Sequence, residues 1–291
     1  MAIGWVDLNG DIVAAEQARV SVFDRGLTRG DSVFETTRVY ARVPFMLREH
    51  LERLAKSASY VGFPAIQSDD LVRRAQRLID RGDAEQAVLR IQLTSGDAME
   101  LAPIAEEIRP TSILTLTPVP DFPVFEERGA SAMISSVRRN HRLALDPLAK
   151  TGSYLNNVMA AREARRLGYD EAILLDLEGR VAEGATANLF AWIEGCWYTP
   201  PLECGILSGI TRAVLLEQCR EHEISAVEHP MSMEDLTVAD ELFLCSSVRE
   251  IMPVTQLNGV QVGNGKLGPE TRALYALFQA KVARYTEENG L

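Results

Sequence analysis

Along this chain the apolar positions fall into two rhythms, one of every second residue and one of every third or fourth. Near the start, "WVDLNGDIV" sets Asn9-Gly10 between two apolar runs, which predicts a β-hairpin with a two-residue turn. "ARVSVF" (18–23) alternates as a further strand, and the glycine-punctuated segment "DRGLTRGDSVFETTRVY" follows it. Helical periodicity runs over 47–62 and 69–82, and strands are predicted in "AVLRIQLT" (87–94) and "TSILTLTPV" (111–119). "PVPDFPVFEERG" then breaks both rhythms with three prolines. The chain is accordingly divided into a small N-terminal α/β domain (1–119), an interdomain linker (120–129) and a large C-terminal domain (130–291).

The second part opens with a strand in "ASAMISSV" and a helix in "YLNNVMAAREARRLG". "EAILLDLEG", "ANLFAWIEG" and "CWYTP" are short strands joined by EG turns and suggest an antiparallel meander. A helix in "GITRAVLLEQCREH", a strand in "ELFLCSS", and a hairpin followed by a helix in 258–285 complete it. There is no internal repeat and no low-complexity segment. The class is mixed α/β (α+β) in two domains, with largely antiparallel sheets.

Composition removes several functions. A net charge of −11 argues against binding a nucleic-acid backbone, and no apolar run approaches the ~20 residues of a membrane span. With no N-terminal signal pattern, the cytoplasm is the expected compartment. Cys196, Cys204, Cys219 and Cys245 show neither CxxC pairing nor histidine at ligand spacing, so they read as buried free thiols and no metal is expected.

Of 30 basic residues only Lys56, Lys150, Lys266 and Lys281 are lysine, so lysine is not the ordinary surface charge here. Lys56 and Lys281 sit on helices and Lys266 in a glycine-rich turn. Lys150 differs: "DPLAKTGSYLNN" surrounds it with small or neutral residues, the setting in which a lysine can lose its proton and act as a nucleophile. Further on, Glu183 ends a strand in "VAEGATANLF", Thr211 begins a helix in "GILSGITRAVLL", and Ser246 and Ser247 end a strand in "LFLCSSVREIMPV". A lysine, a carboxylate, a helix start suited to phosphate and a serine loop are what pyridoxal 5′-phosphate requires.

These segments, with "VSVFDRGLTRGDSVFETTRVY", "LREHLERLAKSA", "EGATANLF" and "REIMPV", resemble the class IV (fold type IV) aminotransferases nearly end to end and in the family's order. That group includes branched-chain and D-amino-acid aminotransferases and aminodeoxychorismate lyase. The resemblance implies a two-domain fold type IV enzyme, pyridoxal 5′-phosphate as cofactor, amino-acid and 2-oxo-acid substrates, ping-pong turnover and a homodimer. Lys150 resembles the lysine that joins the cofactor and shuttles the proton, and Glu183 the acid that binds the ring nitrogen. Arg53 resembles the phosphate-binding arginine, and Ile210 and Thr211 match the phosphate cup. Leu207 resembles the residue beside the ring, and Ser247 a phosphate or substrate-loop hydroxyl. Tyr154 resembles the donor to the phenolic oxygen; it stands four residues after Lys150, where branched-chain enzymes usually have five. Asp24 and Glu35 read as structural partners of the glycine-rich segment, and His50 as a structural residue.

For the substrate, Arg29 stands where the family often has an aromatic residue, and Arg90 lies on a strand of the small domain. The family's two standard carboxylate traps are each incomplete: Ser95 replaces an arginine, and Val88 a tyrosine. Arg29 and Arg90 are therefore expected to form a substitute trap, Arg29 reaching across the dimer, with Ser246 and Val248 lining the substrate loop. By analogy this trap lies on the O3′ side of the cofactor, which favours a D-amino acid. A branched-chain L-amino acid is the alternative, then an (R)-amine or lyase chemistry. A pyridoxal-phosphate- or phosphate-ligand-binding protein without turnover is the remote alternative, and mere phosphate binding would need neither Lys150 nor Glu183.

Overall fold

A computed structural model describes residues 4–98, 100–101, 103–120 and 129–290. The positions 121–128 of the expected linker lie outside the described residues. The chain groups into two compact units: 1–120 with 149–154 and 282–291, and 121–148 with 155–281. A division by sequence at 119–130 assigns 149–154 and 282–291 to the C-terminal domain, whereas both segments group with the first unit.

The first unit contains β1 (Trp5–Leu8), β2 (Asp11–Ala14), α1 (Arg25–Arg29), β3 (Ser32–Tyr40), β4 (Val43–Pro44), α2 (Leu47–Tyr60), α3 (Ser68–Gly82), β5 (Gln86–Thr94) and β6 (Thr111–Thr117). Its strands form one antiparallel sheet in the order β2-β1-β6-β5-β3-β4. Val33, Val39, Leu89, Ile91, Leu114 and Leu116 share a core with Leu51, Leu54, Leu78 and Ile79 of the two helices. Strand alternation sends the intervening residues of β3 and β5, among them Phe34, Thr36, Arg90 and Gln92, to the opposite face. Arg90 is registered with Thr36, and Gln92 with Phe34.

The strand expected over 18–23 does not form. Val20, Val22 and Phe23 are exposed, and the stretch ends in turns before α1. Alternation alone cannot hold a strand that has no neighbour to pair with. α1 emerges from the glycine-punctuated segment, capped by the Asp24 carboxylate, which accepts from Gly26 N–H and from the Thr94 hydroxyl.

The second unit contains β7 (Ala130–Ile134), α4 (Leu155–Arg166), β8 (Glu171–Leu175), β9 (Val181–Gly184), β10 (Asn188–Ile193), β11 (Cys196–Thr199), α5 (Ile210–Glu221), β12 (Ala226–Glu228), α6 (Met233–Thr237), β13 (Glu241–Ser246), β14 (Glu250–Leu257), β15 (Val260–Gln261) and α7 (Pro269–Asn289), whose residues from Val282 onward group with the first unit. The sheet order is β12-β11-β10-β13-β14-β7-β8-β9, with β15 on β14. The expected meander is interrupted: β8 pairs β9 and β10 pairs β11, but β13 takes the other edge of β10. Three pairings, β7–β8, β7–β14 and β11–β12, are parallel. Cys204, Cys219 and Cys245 are buried as expected, while Cys196 is only half-buried.

Candidate active site

In the first unit, residues 150–152 lie along β3. Phe34 N–H donates to the Lys150 carbonyl at 3.0 Å, and Gly152 N–H donates to the Ser32 carbonyl at 2.6 Å. Lys150 N–H donates in turn to the Ser57 hydroxyl of α2 at 2.9 Å. The fit requires glycine at 152: a Cβ there would stand 1.9 Å from the Ser32 hydroxyl oxygen. These bonds place the Lys150 ammonium 4.6 Å from the centre of the Phe34 ring and 5.8 Å from that of Tyr154. The two rings meet edge to face at 5.4 Å. Arg90 also stacks on Phe34, its guanidinium carbon 3.9 Å from the ring centre, and donates to the Gln92 side chain. Burial pulls the Arg90 guanidinium below its ordinary value.

Behind this face, Glu35 points from β3 into the core. Arg53 donates to it through Nε at 2.6 Å and Nη2 at 2.8 Å, and His50 Nδ1 lies 2.7 Å away. All three are buried. Burial alone would raise the Glu35 carboxyl, but the Arg53 guanidinium and His50 outweigh it and hold it well below the usual carboxylate range. Burial lowers His50, assisted by the Arg53 and Lys150 cations and opposed by Glu35. Glu35 is structural, but its side-chain partners are Arg53 and His50 of α2 and not the glycine-rich segment expected from the sequence.

In the second unit, Glu183 ends β9 at 4% exposure. Its carboxylate accepts from Arg139 Nε at 2.8 Å, Leu207 N–H at 3.0 Å and Asn188 Nδ2 at 3.2 Å. Asn188 also donates to the Leu207 carbonyl, so one asparagine ties the carboxylate to the loop before α5. Gly209 precedes that helix, and a Cβ on it would lie 1.9 Å from the Asn188 side-chain oxygen. α5 therefore begins on bare backbone at Ile210 and Thr211, with Thr211 buried. The first N–H groups of such a helix have no partner within it and form an anion cup. The turn after β13 carries Ser246, Ser247 and Val248, all half-buried, and the Ser246 hydroxyl oxygen accepts from Arg249 N–H.

The residues expected from the sequence therefore fall into two groups: Lys150, Tyr154, Arg53 and Arg90 in the first unit, and Glu183, Leu207, Ile210, Thr211, Ser246, Ser247 and Val248 in the second. Arg29 is exposed at the end of α1 and donates to the neighbouring Thr28 carbonyl; among the described residues it shares no partner with Arg90. Sequence reasoning did not single out Arg139, Asn188 or Phe34 for a role. Asn188 and Phe34 at least lie inside motifs that drew attention, "EGATANLF" and "DSVFETT"; nothing local marks Arg139, 44 residues before its partner.

The donors present suit pyridoxal 5′-phosphate: a lysine against aromatic rings, a buried carboxylate fixed by three donors, and a helix start at which a side chain on residue 209 would collide with Asn188. Residues 32–257 match the family model described as Amino-transferase class IV. A putative branched-chain-amino-acid aminotransferase of Methanocaldococcus jannaschii is 39% identical over 94% of each chain. The crystal structure of the Escherichia coli branched-chain amino acid aminotransferase superposes with a TM-score of 0.92 at 35% identity, covering 96% of this chain and 94% of the other. A D-alanine aminotransferase of Bacillus licheniformis is 30% identical over 96% of this chain and 97% of its own length.

Proposed function

The chain belongs to the class IV aminotransferases, pyridoxal 5′-phosphate enzymes, and on that premise we propose that its donor is a branched-chain L-amino acid. The observation that carries the reading is Arg90. It is a half-buried guanidinium whose side-chain hydrogen bonds among the described residues go to neutral Gln92, over the apolar ring of Phe34 and cross-strand from Thr36. A cation beside an apolar ring suits a substrate with one carboxylate and a hydrocarbon side chain. The branched-chain names of the relatives at 39% and 35% identity support the same choice.

When bound, the cofactor supplies an electron sink for the pair left behind as the substrate Cα–H bond breaks. Lys150 Nζ would take that proton and return it to the carbon on the far side of the substrate nitrogen, the work of a general base and then a general acid. Phe34 and Tyr154 lie against the amine and limit water around it without fixing its direction. Glu183, oriented by Arg139, Asn188 and Leu207 N–H, faces the ring nitrogen. The N–H groups at Ile210 and Thr211 hold the phosphate, with Ser247 and Arg53 contributing, and Arg90 holds the substrate carboxylate with Ser246 and Val248 nearby. Arg29 reaches into the site of a second copy in a homodimer.

A D-amino acid is the second reading, favoured by Arg90 standing without a tyrosine at position 88 and by the likeness to a D-alanine aminotransferase. The test is a half-reaction screen of L-leucine, D-alanine and (R)-1-phenylethylamine, read by the change in cofactor absorbance. L-Leucine is expected to convert the bound cofactor fastest. Faster conversion by D-alanine would replace the proposal with the second reading.

A further inference from the structure

Ser246, Ser247 and Val248 sit on a tight turn, and that turn is fastened at its outer end in a way the proposed chemistry does not require. β13 and β14 pair down to Ser246 opposite Glu250, leaving 247–249 as the loop. Its last residue, Arg249, reaches the carboxylate of Glu171 on β8, which is 2% exposed. The next residue, Glu250, has φ +59°, in the left-handed region that favours glycine. Its buried carboxylate accepts from the Tyr275 hydroxyl at 2.7 Å and from Gln279 Nε2 at 2.7 Å, both on α7. An unfavourable backbone conformation persists only where its surroundings over-determine it. Here one buried carboxylate receives the arginine of the turn, while the other belongs to the strained residue and is gripped from a helix. Two consecutive residues are thus pinned by two different elements, β8 and α7, directly after Val248.

We infer that Arg249 is a positioning residue. Through Glu171 it holds the Ser246–Val248 turn in its ligand-binding shape before any ligand arrives. The inference rests on the reading that this turn faces the cofactor phosphate and the substrate. Its physical content is preorganisation: with the clamp cut, each binding event has to order one or two backbone residues, at a cost of about tenfold in affinity. Glu171 lies three residues before Leu174, the residue registered with Glu183 across β8 and β9. The strand that carries the clamp is therefore hydrogen-bonded to the one that carries the proposed ring-nitrogen partner.

The experiment titrates apoprotein with pyridoxal 5′-phosphate by absorbance and measures KM and kcat for the 2-oxo acid of leucine. The variants are Arg249→Met, Arg249→Gln, Arg249→Lys, Glu171→Gln, the double Arg249→Met/Glu171→Gln, and Ser247→Ala. Arg249→Met and Glu171→Gln are each expected to weaken cofactor affinity and raise KM by about tenfold, with a smaller change in kcat. The double variant should be no worse than either single one, because both cut the same link. Arg249→Lys should recover most of the loss; should Arg249→Met not fold, Arg249→Gln takes its place. Wild-type affinity and KM in Arg249→Met, together with a weakened Ser247→Ala, would overturn the clamp and leave the turn's role standing. Loss of melting temperature with affinity intact, or no rescue by lysine, would reduce Arg249 to a structural tie. If Ser247→Ala binds and turns over normally, the reading of the turn falls, and the clamp with it.

Discussion

Lys150 and Glu183 are held by opposite means. The backbone of Lys150 is fixed by main-chain bonds to β3 and by Ser57, while its amine rests against the faces of two aromatic rings. At Glu183 it is the side chain that is fixed, by a guanidinium, an amide side chain and a backbone N–H at once. A ring face attracts a cation without dictating its direction, and is worth about 0.5–2 kcal/mol. Three directed hydrogen bonds dictate orientation. The difference matches the tasks proposed for the two groups: an amine that carries a proton between two carbons must swing, and a carboxylate that faces one nitrogen must not.

The sharpest way to break this contrast is to remove the moving group. Lys150→Ala is expected to lower turnover by at least about a thousandfold and to abolish the absorbance band of the lysine-bound cofactor. The melting temperature should stay close to wild type, since the main-chain bonds survive. Measurable wild-type turnover would end the assignment.

Glu183→Gln comes next. It keeps the shape but replaces a charge with a dipole, and a loss of roughly 10²–10³ in the half-reaction rate is expected, with cofactor still bound. If the rate is near normal, the fixed half of the contrast has no catalytic meaning.

The Glu35–Arg53–His50 cluster tests whether the seat of Lys150 depends on what lies behind it. Glu35→Leu leaves Arg53 and His50 buried without their carboxylate and should cost about 3–5 kcal/mol in unfolding measurements. The same cluster sets an acid limit. His50 is lowered in the folded chain, so its contribution is present above 6.5 and lost as the pH falls through and below that value. Glu35 is lowered too, so its contribution is present above 4.5 and lost below it. Thermal unfolding should therefore show stability declining on acidification in both windows, with the upper one flattened in His50→Gln. A wild-type profile flat through 6.5 would remove the His50 part.

The smallest effect is expected at Arg90. Arg90→Leu should lower the specificity constant for L-leucine by about tenfold to a hundredfold, and that for (R)-1-phenylethylamine, which has no carboxylate, much less. Equal losses on both would mean damage to the Phe34 stack and not a lost carboxylate contact.

Periodicity located the helices and the strand of the first unit that carry or back its candidate residues. The helices expected over 47–62 and 69–82 are α2 (Leu47–Tyr60) and α3 (Ser68–Gly82), and the strand over 87–94 is β5. The rarity of lysine singled out Lys150, and the order of short motifs identified the family. The partners of those residues were much harder to read. Arg139 meets Glu183 across 44 positions, and Ser57 meets Lys150 across 93, and neither spacing belongs to any local period. Glu35 looked like one more polar position in "SVFETTRVY" because alternation reports which face a residue is on, not that a histidine and an arginine wait there. The failed strand at 18–23 is the same lesson reversed: a correct local rhythm without a partner.

The segment 149–154 belongs to the first unit although it is bracketed in sequence by parts of the second. This limits how the gene can be recombined with that of a relative. A crossover near residue 120 would take β3 from one parent and the lysine segment from the other, although Gly152 is fitted to Ser32 so closely that one added carbon would stand 1.9 Å from its oxygen. Chimaeras that inherit 32–40 and 149–154 from the same parent should fold and load cofactor more often than chimaeras that split them, wherever else their junctions fall.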